Sequence, residues 1–132
     1  MPKPVRLISG AAILALLLAG PGASDVRARL PGALLSTVNL AEVITKLCER
    51  GMPADLALTA VQTLGVELVD FGAAQACATG GLRGGSTRSA GLSLGDRACL
   101  ALARERHFPA ITTDTAWANP PDFDVRLIRS AP

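Results

Sequence analysis

The sequence has one histidine, three cysteines and no Cys-x-x-Cys pair, which argues against a structural zinc framework. Cys48, Cys77 and Cys99 are odd in number and widely spaced, so they do not form a disulfide frame. Each lies in an apolar helical pattern and is expected as a buried free thiol in a reducing, cytoplasmic setting. Charge of one sign is also scarce: 13 basic and 11 acidic residues leave a net charge of +2. No overall field marks the chain as a nucleic-acid binder, and any such contact has to be local. The segment from Gly80 to Gly91 lacks the Gly-Lys-Ser/Thr ending of a nucleotide phosphate loop. Its composition predicts a flexible loop that carries Arg83 and Arg88. No internal repeat is visible.

What is present suits one compact domain: 132 residues, 49% of them apolar, are enough for a single core and leave little for a second domain. At the amino end, Lys3 and Arg6 precede an apolar run to Ala19, followed by Gly20, Gly22, Ala23 and Ser24. That is the outline of a secretory leader, and a secreted protein with a cleaved leader is one reading. The run is too short to span a membrane, and no membrane partner is expected. The preferred reading takes Val5 to Ile8 as a first strand, Gly10 as a turn and Ala11 to Leu18 as a buried helix ended by Gly20-Pro21. Removing the run would strip a small chain of a core strand and helix.

Further along, Ser24 to Leu30 reads as a short helix capped by Ser24, and Ala33-Leu34-Leu35 as a brief strand. Leu40, Val43, Ile44, Leu47 and Cys48 repeat at helical spacing up to Gly51. Within that helix Glu42 fits either a capping box with Asn39 or an ion pair with Lys46. Pro53 opens a third helix through Leu64, Val66 to Val69 is a strand, and Phe71 to Thr79 a helix. The helix from Ser93 to about Arg106 is apolar on several sides and therefore buried against more than one neighbour. His107 reads as a helix-terminus residue. Pro109 to Thr113 is a strand ending at Asp114, Ala116-Trp117 a turn or short helix, and Val125 to Ile128 the last strand.

Strands that alternate with helices give an α/β class with a mostly parallel sheet, in which ligands bind beyond the carboxyl ends of the strands. Asp114 follows a strand, while Glu42 and Asp96 stand at helix starts, so all three can share that edge. Each has a plainer role open to it. Asp96, three residues after Ser93, fits a capping box, and Asp114 can cap the turn that follows. As an ionised acid at a helix start, Asp96 equally suits a hard cation such as magnesium.

Four blocks carry a resemblance: Leu7-Ile8-Ser9-Gly10-Ala11 with the apolar run to Leu17; Ser36-Thr37-Val38-Asn39-Leu40-Ala41-Glu42-Val43 with Lys46; Leu92 to Ala103; and Ile111-Thr112-Thr113-Asp114-Thr115-Ala116-Trp117. In order and separation they resemble the PIN-domain ribonucleases, and within them the VapC-type toxins of bacterial toxin–antitoxin pairs, from Val5 to Ile128. The resemblance implies one domain over residues 1–132 with a three-layer α/β/α fold and a mostly parallel central sheet. It implies acids that converge on Mg2+ or Mn2+, here Glu42, Asp96 and Asp114. Asn39, Ser93, Arg97 and Thr113 are the implied supporting groups behind them. RNA is the implied substrate, with Lys46, Arg83 and Arg88 as contacts to its backbone. A VapB-like antitoxin and a homodimer are the implied partners.

The chain departs from the family at Ser9. An aspartate ends the first strand in the family, with a hydroxyl residue shortly after; here Ser9 and Ala11 stand at those positions. Serine can touch a hard cation weakly or through its water, but it adds no charge. The expectation is a metal-dependent endoribonuclease impaired at Ser9, with a degenerate site of at most three carboxylates. The alternative is a non-catalytic binding module that keeps the fold and holds an antitoxin-like partner or RNA.

Overall fold

The computed structural model describes residues 6–20, 22–82, 91–113 and 123–128. In chain order the elements are β1 (Leu7–Ile8), α1 (Gly10–Leu17), α2 (Ala23–Arg29), β2 (Leu34–Ser36), α3 (Thr37–Glu49), α4 (Ala54–Gln62), β3 (Glu67–Val69), α5 (Ala73–Gly81), α6 (Leu94–Arg106), β4 (Ala110–Thr112) and β5 (Val125–Leu127). The strands form one sheet in the order β3-β2-β1-β4-β5. Every pairing in it is parallel. The apolar run near the amino end thus supplies the central strand and the first helix.

Successive strand side chains point to opposite faces, and this period of two builds the layers. Ile8, Leu35 and Ile111 enter one core with residues of α1, α2, α3 and α4. Leu7, Leu34 and Ala110 enter the other, chiefly against α6 with Leu82 and Leu92. A strand buried on both faces reads as a continuous apolar run, as these do. The result is the expected three-layer α/β/α arrangement. Among the described residues no helix is long and apolar enough to cross a membrane.

Three serines start three of the helices at the carboxyl edge. Ser9 Oγ accepts from Ala12 N at 3.0 Å, and Ser36 Oγ accepts from Val38 N at 3.3 Å. Ser93 closes a capping box with Asp96. Such caps satisfy backbone donors that the first helical turn leaves unpaired. His107 ends α6 in the left-handed region, with φ of 58°.

The structure corrects several expectations. The cap of α2 is Gly22, held at φ 83°, so Ser24 lies inside that helix; glycine adopts the left-handed turn at no steric cost. Asn39 does not cap α3, because Ser36 does so three residues earlier. Gly80 and Gly81 belong to α5, where its packing on α6 outweighs glycine's weak helix propensity. The rest of the glycine-rich segment, residues 83–90 with Arg83 and Arg88, lies outside the described residues. Of the cysteines only Cys99 is buried; Cys48 and Cys77 are exposed. Their helices cover one face of the sheet each, and these two residues fall on the outer side.

Candidate metal centre

Glu42 lies on α3, whose first turn is fixed by the Ser36 cap and whose apolar face carries the buried Val43 and Leu47. That packing leaves Glu42 on the side facing the starts of α1 and α6. A Cβ placed on Gly10 would stand 3.6 Å from Glu42 Oε1. One placed on Gly95 would overlap the Glu42 carboxylate. The carboxylate therefore occupies the space above a bare α-carbon, at the residue just before Asp96.

Asn39 fastens this arrangement. Its Nδ2 donates to Glu42 Oε1 at 3.2 Å and to the Gly95 carbonyl at 2.9 Å. Both partners are acceptors, which fixes the orientation of the amide. Asn39 is only 1% exposed, and its Oδ1 is buried without a hydrogen-bond partner among the described residues. α3 and α6 are thus tied together where Glu42 lies against Gly95, the residue before Asp96.

Electrostatics follow from this crowding. Glu42 retains surface as a residue, yet burial of its carboxyl raises its pKa above the ordinary value. The Asn39 hydrogen bond pulls it back, the Asp96 charge pushes it up again, and Lys46 lowers it. Asp96 keeps the cap as well: its Oδ2 accepts from Ser93 N at 3.1 Å, and its own N donates to Ser93 Oγ at 3.1 Å. Behind both acids Cys99 is fully buried, with Sγ 3.9 Å from the Ile8 carbonyl. Burial first, then the Asp96 and Glu42 charges, pushes its thiol far up. Gly10, which starts α1 just beyond β1, lies against Glu42, which places that acid at the carboxyl edge of the sheet.

Ser9 ends β1 at that edge and is 1% exposed. Besides accepting the Ala12 N–H, its hydroxyl donates to Thr112 Oγ1 at 3.1 Å. The hydroxyl joins the first helix to β4 and leaves one lone pair uncommitted. Other expected site residues fall in different places. Arg97 turns toward α5, where Nη1 donates to the Thr79 carbonyl at 3.1 Å. Ser93 is exposed and engaged in the cap. Thr113 follows β4, with its methyl 3.7 Å from where a Gly22 Cβ would stand. Lys46 lies one turn beyond Glu42 and pairs at 3.8 Å with Glu49. Asp114, Arg83 and Arg88 lie outside the described residues.

The donors brought together fit a hard cation. Carboxylate oxygens are its usual ligands, and Glu42 and Asp96 repel each other in the absence of a positive charge between them. The bare Gly95 supplies room, and Asn39 holds Glu42 at that spot. Among the described residues no group of three or more acids, histidines or cysteines forms. Sequence reasoning missed Gly95 and Thr112. A glycine inside a helix costs about 1 kcal/mol against alanine and so asks for a packing reason. That was the available signal for Gly95.

Comparisons with known proteins bear on the same region. The family model for the PIN domain matches residues 11–122. No curated protein matches the sequence significantly. Among solved structures, the chain is similar to one in a toxin–antitoxin complex from Klebsiella pneumoniae, with a TM-score of 0.72 and 19% identity over 96% of this chain and 99% of that one. It is similar to a chain of the DNA-bound VapBC complex from Salmonella typhimurium, with a TM-score of 0.71 and 15% identity over 94% and 98% of the two chains. VapC20 of Mycobacterium tuberculosis, described as a Sarcin-Ricin loop cleaving toxin, gives a TM-score of 0.65 and 22% identity over 83% and 90%. At these identities the likeness is one of fold.

Proposed function

We infer the function from one premise: this chain belongs to the PIN-domain family. On that footing we propose a metal-dependent endoribonuclease of the VapC toxin type, impaired at Ser9. The observation that carries the reading is that the Glu42 carboxylate of α3 lies over the bare α-carbon of Gly95 in α6, the residue next to Asp96, whose charge raises the Glu42 pKa. Glu42 and Asp96 would hold the ion, with Asp114 as a third carboxylate and Ser9 as a weak or water-mediated contact. Magnesium or manganese bound there would polarise the scissile phosphate and lower the pKa of an attacking water.

The chain's own residues do the rest. Asn39 keeps Glu42 aimed across α6, the Ser93 cap holds Asp96 at the helix start, and Lys46, Arg83 and Arg88 draw the RNA backbone toward this edge. The structural neighbours are complexes of toxins with antitoxins, which supports a VapB-like partner. The proposal includes a homodimer in the cytoplasm.

RNA cleavage by the protein and its Ser9→Asp form, side by side in manganese, tests the reading. Cleavage that rises in Ser9→Asp and disappears in Asp96→Ala is expected. No cleavage by a folded Ser9→Asp protein across a range of magnesium and manganese would sink the nuclease. One observation favours the second reading, a non-catalytic module. The Ser9 hydroxyl is buried and already committed to Ala12 and Thr112, so β1 ends without the charge a fully armed site would have. RNA or antitoxin binding without cleavage, in both the parent and Ser9→Asp, is its outcome.

A further inference from the structure

Among the described residues, four buried side-chain atoms have no hydrogen-bond partner: Asn39 Oδ1 at the acid edge, and Gln75 Oε1, Thr79 Oγ1 and Arg97 Nε. The last three belong to the seam between α5 and α6. Gln75 and Thr79 stand one turn apart on α5 and so share a face. Arg97 of α6 reaches that helix, where its Nη1 donates to the Thr79 carbonyl at 3.1 Å. Buried polar groups are paired in the great majority of cases, so three unpaired ones between two helices ask for a physical reason.

The sequence of α5 does little to hold it in place. No side chain caps its start, no acid stands in its first turn and no base in its last. Gly80 and Gly81 close it, and glycine is a poor helix former. A packed helix normally turns its apolar residues inward. In α5 the outward positions Ala73, Ala74, Ala76 and Cys77 are exposed, while Gln75 is half-buried and Thr79 is 1% exposed. The two polar side chains of the helix therefore face its neighbour. Within the helix Ala78 is the apolar side chain that packs against the core, followed by Leu82 at the carboxyl cap.

The entry of α5 is tied down separately: Phe71 N donates to Thr37 Oγ1 at 3.0 Å, which joins it to the first turn of α3. Beyond that anchor, docking on α6 leaves two acceptors and one donor unpaired, and all three would be hydrogen-bonded in water. Separation of the two helices returns those bonds and uncovers little apolar surface, which is the character of segments that open locally. We propose that α5 is a flap, hinged at Phe71-Gly72, that opens from α6 as a unit while the rest of the protein stays folded. Opening places water on Gln75, Thr79 and Arg97, and it frees the Arg97 guanidinium one residue away from Asp96. The flap does not depend on the nuclease reading, since its motion uses neither acid.

The test is amide hydrogen exchange of the full chain under native conditions, read by mass spectrometry. It compares the parent, Thr79→Val and the Gln75→Met/Thr79→Val double variant, with the melting temperature as the check on folding. After correction for intrinsic rates, the hydrogen-bonded amides of α5 in the parent should exchange at least about tenfold faster than those of α3 and α6. The double variant takes away two unpaired buried acceptors at nearly constant volume and keeps the bond from Arg97 to the Thr79 carbonyl. Docking then leaves less unpaired, so exchange in α5 should slow by about tenfold while that in α3 stays as it was. Thr79→Val alone should move it in the same direction. Amides of α5 as slow as those of α6 in the parent overturn the flap. Exchange that is unchanged or faster in both variants also overturns it, because the docked helix would then leave nothing unpaired.

Discussion

Gly95 of α6 leaves open the space that the carboxylate of Glu42, from α3, occupies; a methyl group at position 95 and that carboxylate cannot coexist. Asn39 bonds to both sides of the contact, the Glu42 carboxylate and the Gly95 carbonyl.

Gly95→Ala should therefore displace Glu42 without unfolding the protein. Alanine has the better helix propensity, which offsets part of the cost of moving a side chain that has solvent on one side. Manganese affinity, read from the metal-dependent rise in melting temperature, is expected to fall at least about tenfold, or about 1.4 kcal/mol. A full metal response in Gly95→Ala would remove Glu42 from the site.

Ser9 separates a structural role from a chemical one. Ser9→Ala loses the cap on Ala12 and the bond to Thr112, and should cost about 1–2 kcal/mol in denaturant unfolding. Ser9→Asp keeps the cap, since aspartate caps as well as serine. It should fold, lose some stability without metal from the added negative charge, and gain manganese-dependent cleavage. An Ala variant as stable as the parent would show that the cap matters little.

Glu42 has a pH signature. Burial raises its pKa in the folded protein, so between the ordinary glutamate value and the raised one the folded state binds more protons than the unfolded. Metal-free stability accordingly falls as pH climbs through that window and stays lower above it. Glu42→Gln should match the parent below the window and melt higher than the parent at neutral pH. Manganese should stabilise the parent and not the variant at neutral pH. Identical melting profiles from acid to neutral would contradict the crowding of this carboxyl.

The cysteines offer a readout of the fold itself. Cys48 and Cys77 are exposed and Cys99 is buried, its thiol held protonated by burial and by two nearby acids. The thiolate is the reactive form. Two thiols should react quickly with Ellman's reagent in the native protein, and the third only in denaturant. With Cys48→Ser and Cys77→Ser combined, native reactivity should vanish. Three fast thiols would place Cys99 at the surface.

Much of the fold was legible from local chemistry. Adjacent apolar residues such as Leu7 and Ile8, or Leu34 and Leu35, belong to a strand covered on both faces, and they divide between the two cores. The capping box of Ser93 and Asp96 was readable because its partners are three residues apart. The cysteines misled because an apolar pattern marks a helix without saying how wide its buried stripe is; Cys48 falls just outside that stripe and Cys77 well away from it.

The sequence by itself determined the order of strands and helices, the start of α6 and the residue types available for chemistry, since these depend on interactions within a few residues. Only the tertiary structure decided that Glu42 rests on Gly95, more than fifty positions away, that Ser9 is bonded to Thr112, and that Arg97 is bonded to Thr79. Those meetings are set by how α3 and α5 pack on α6 and how β1 lies beside β4. Packing of this kind is fixed by shape and volume across the core, which no local spacing records.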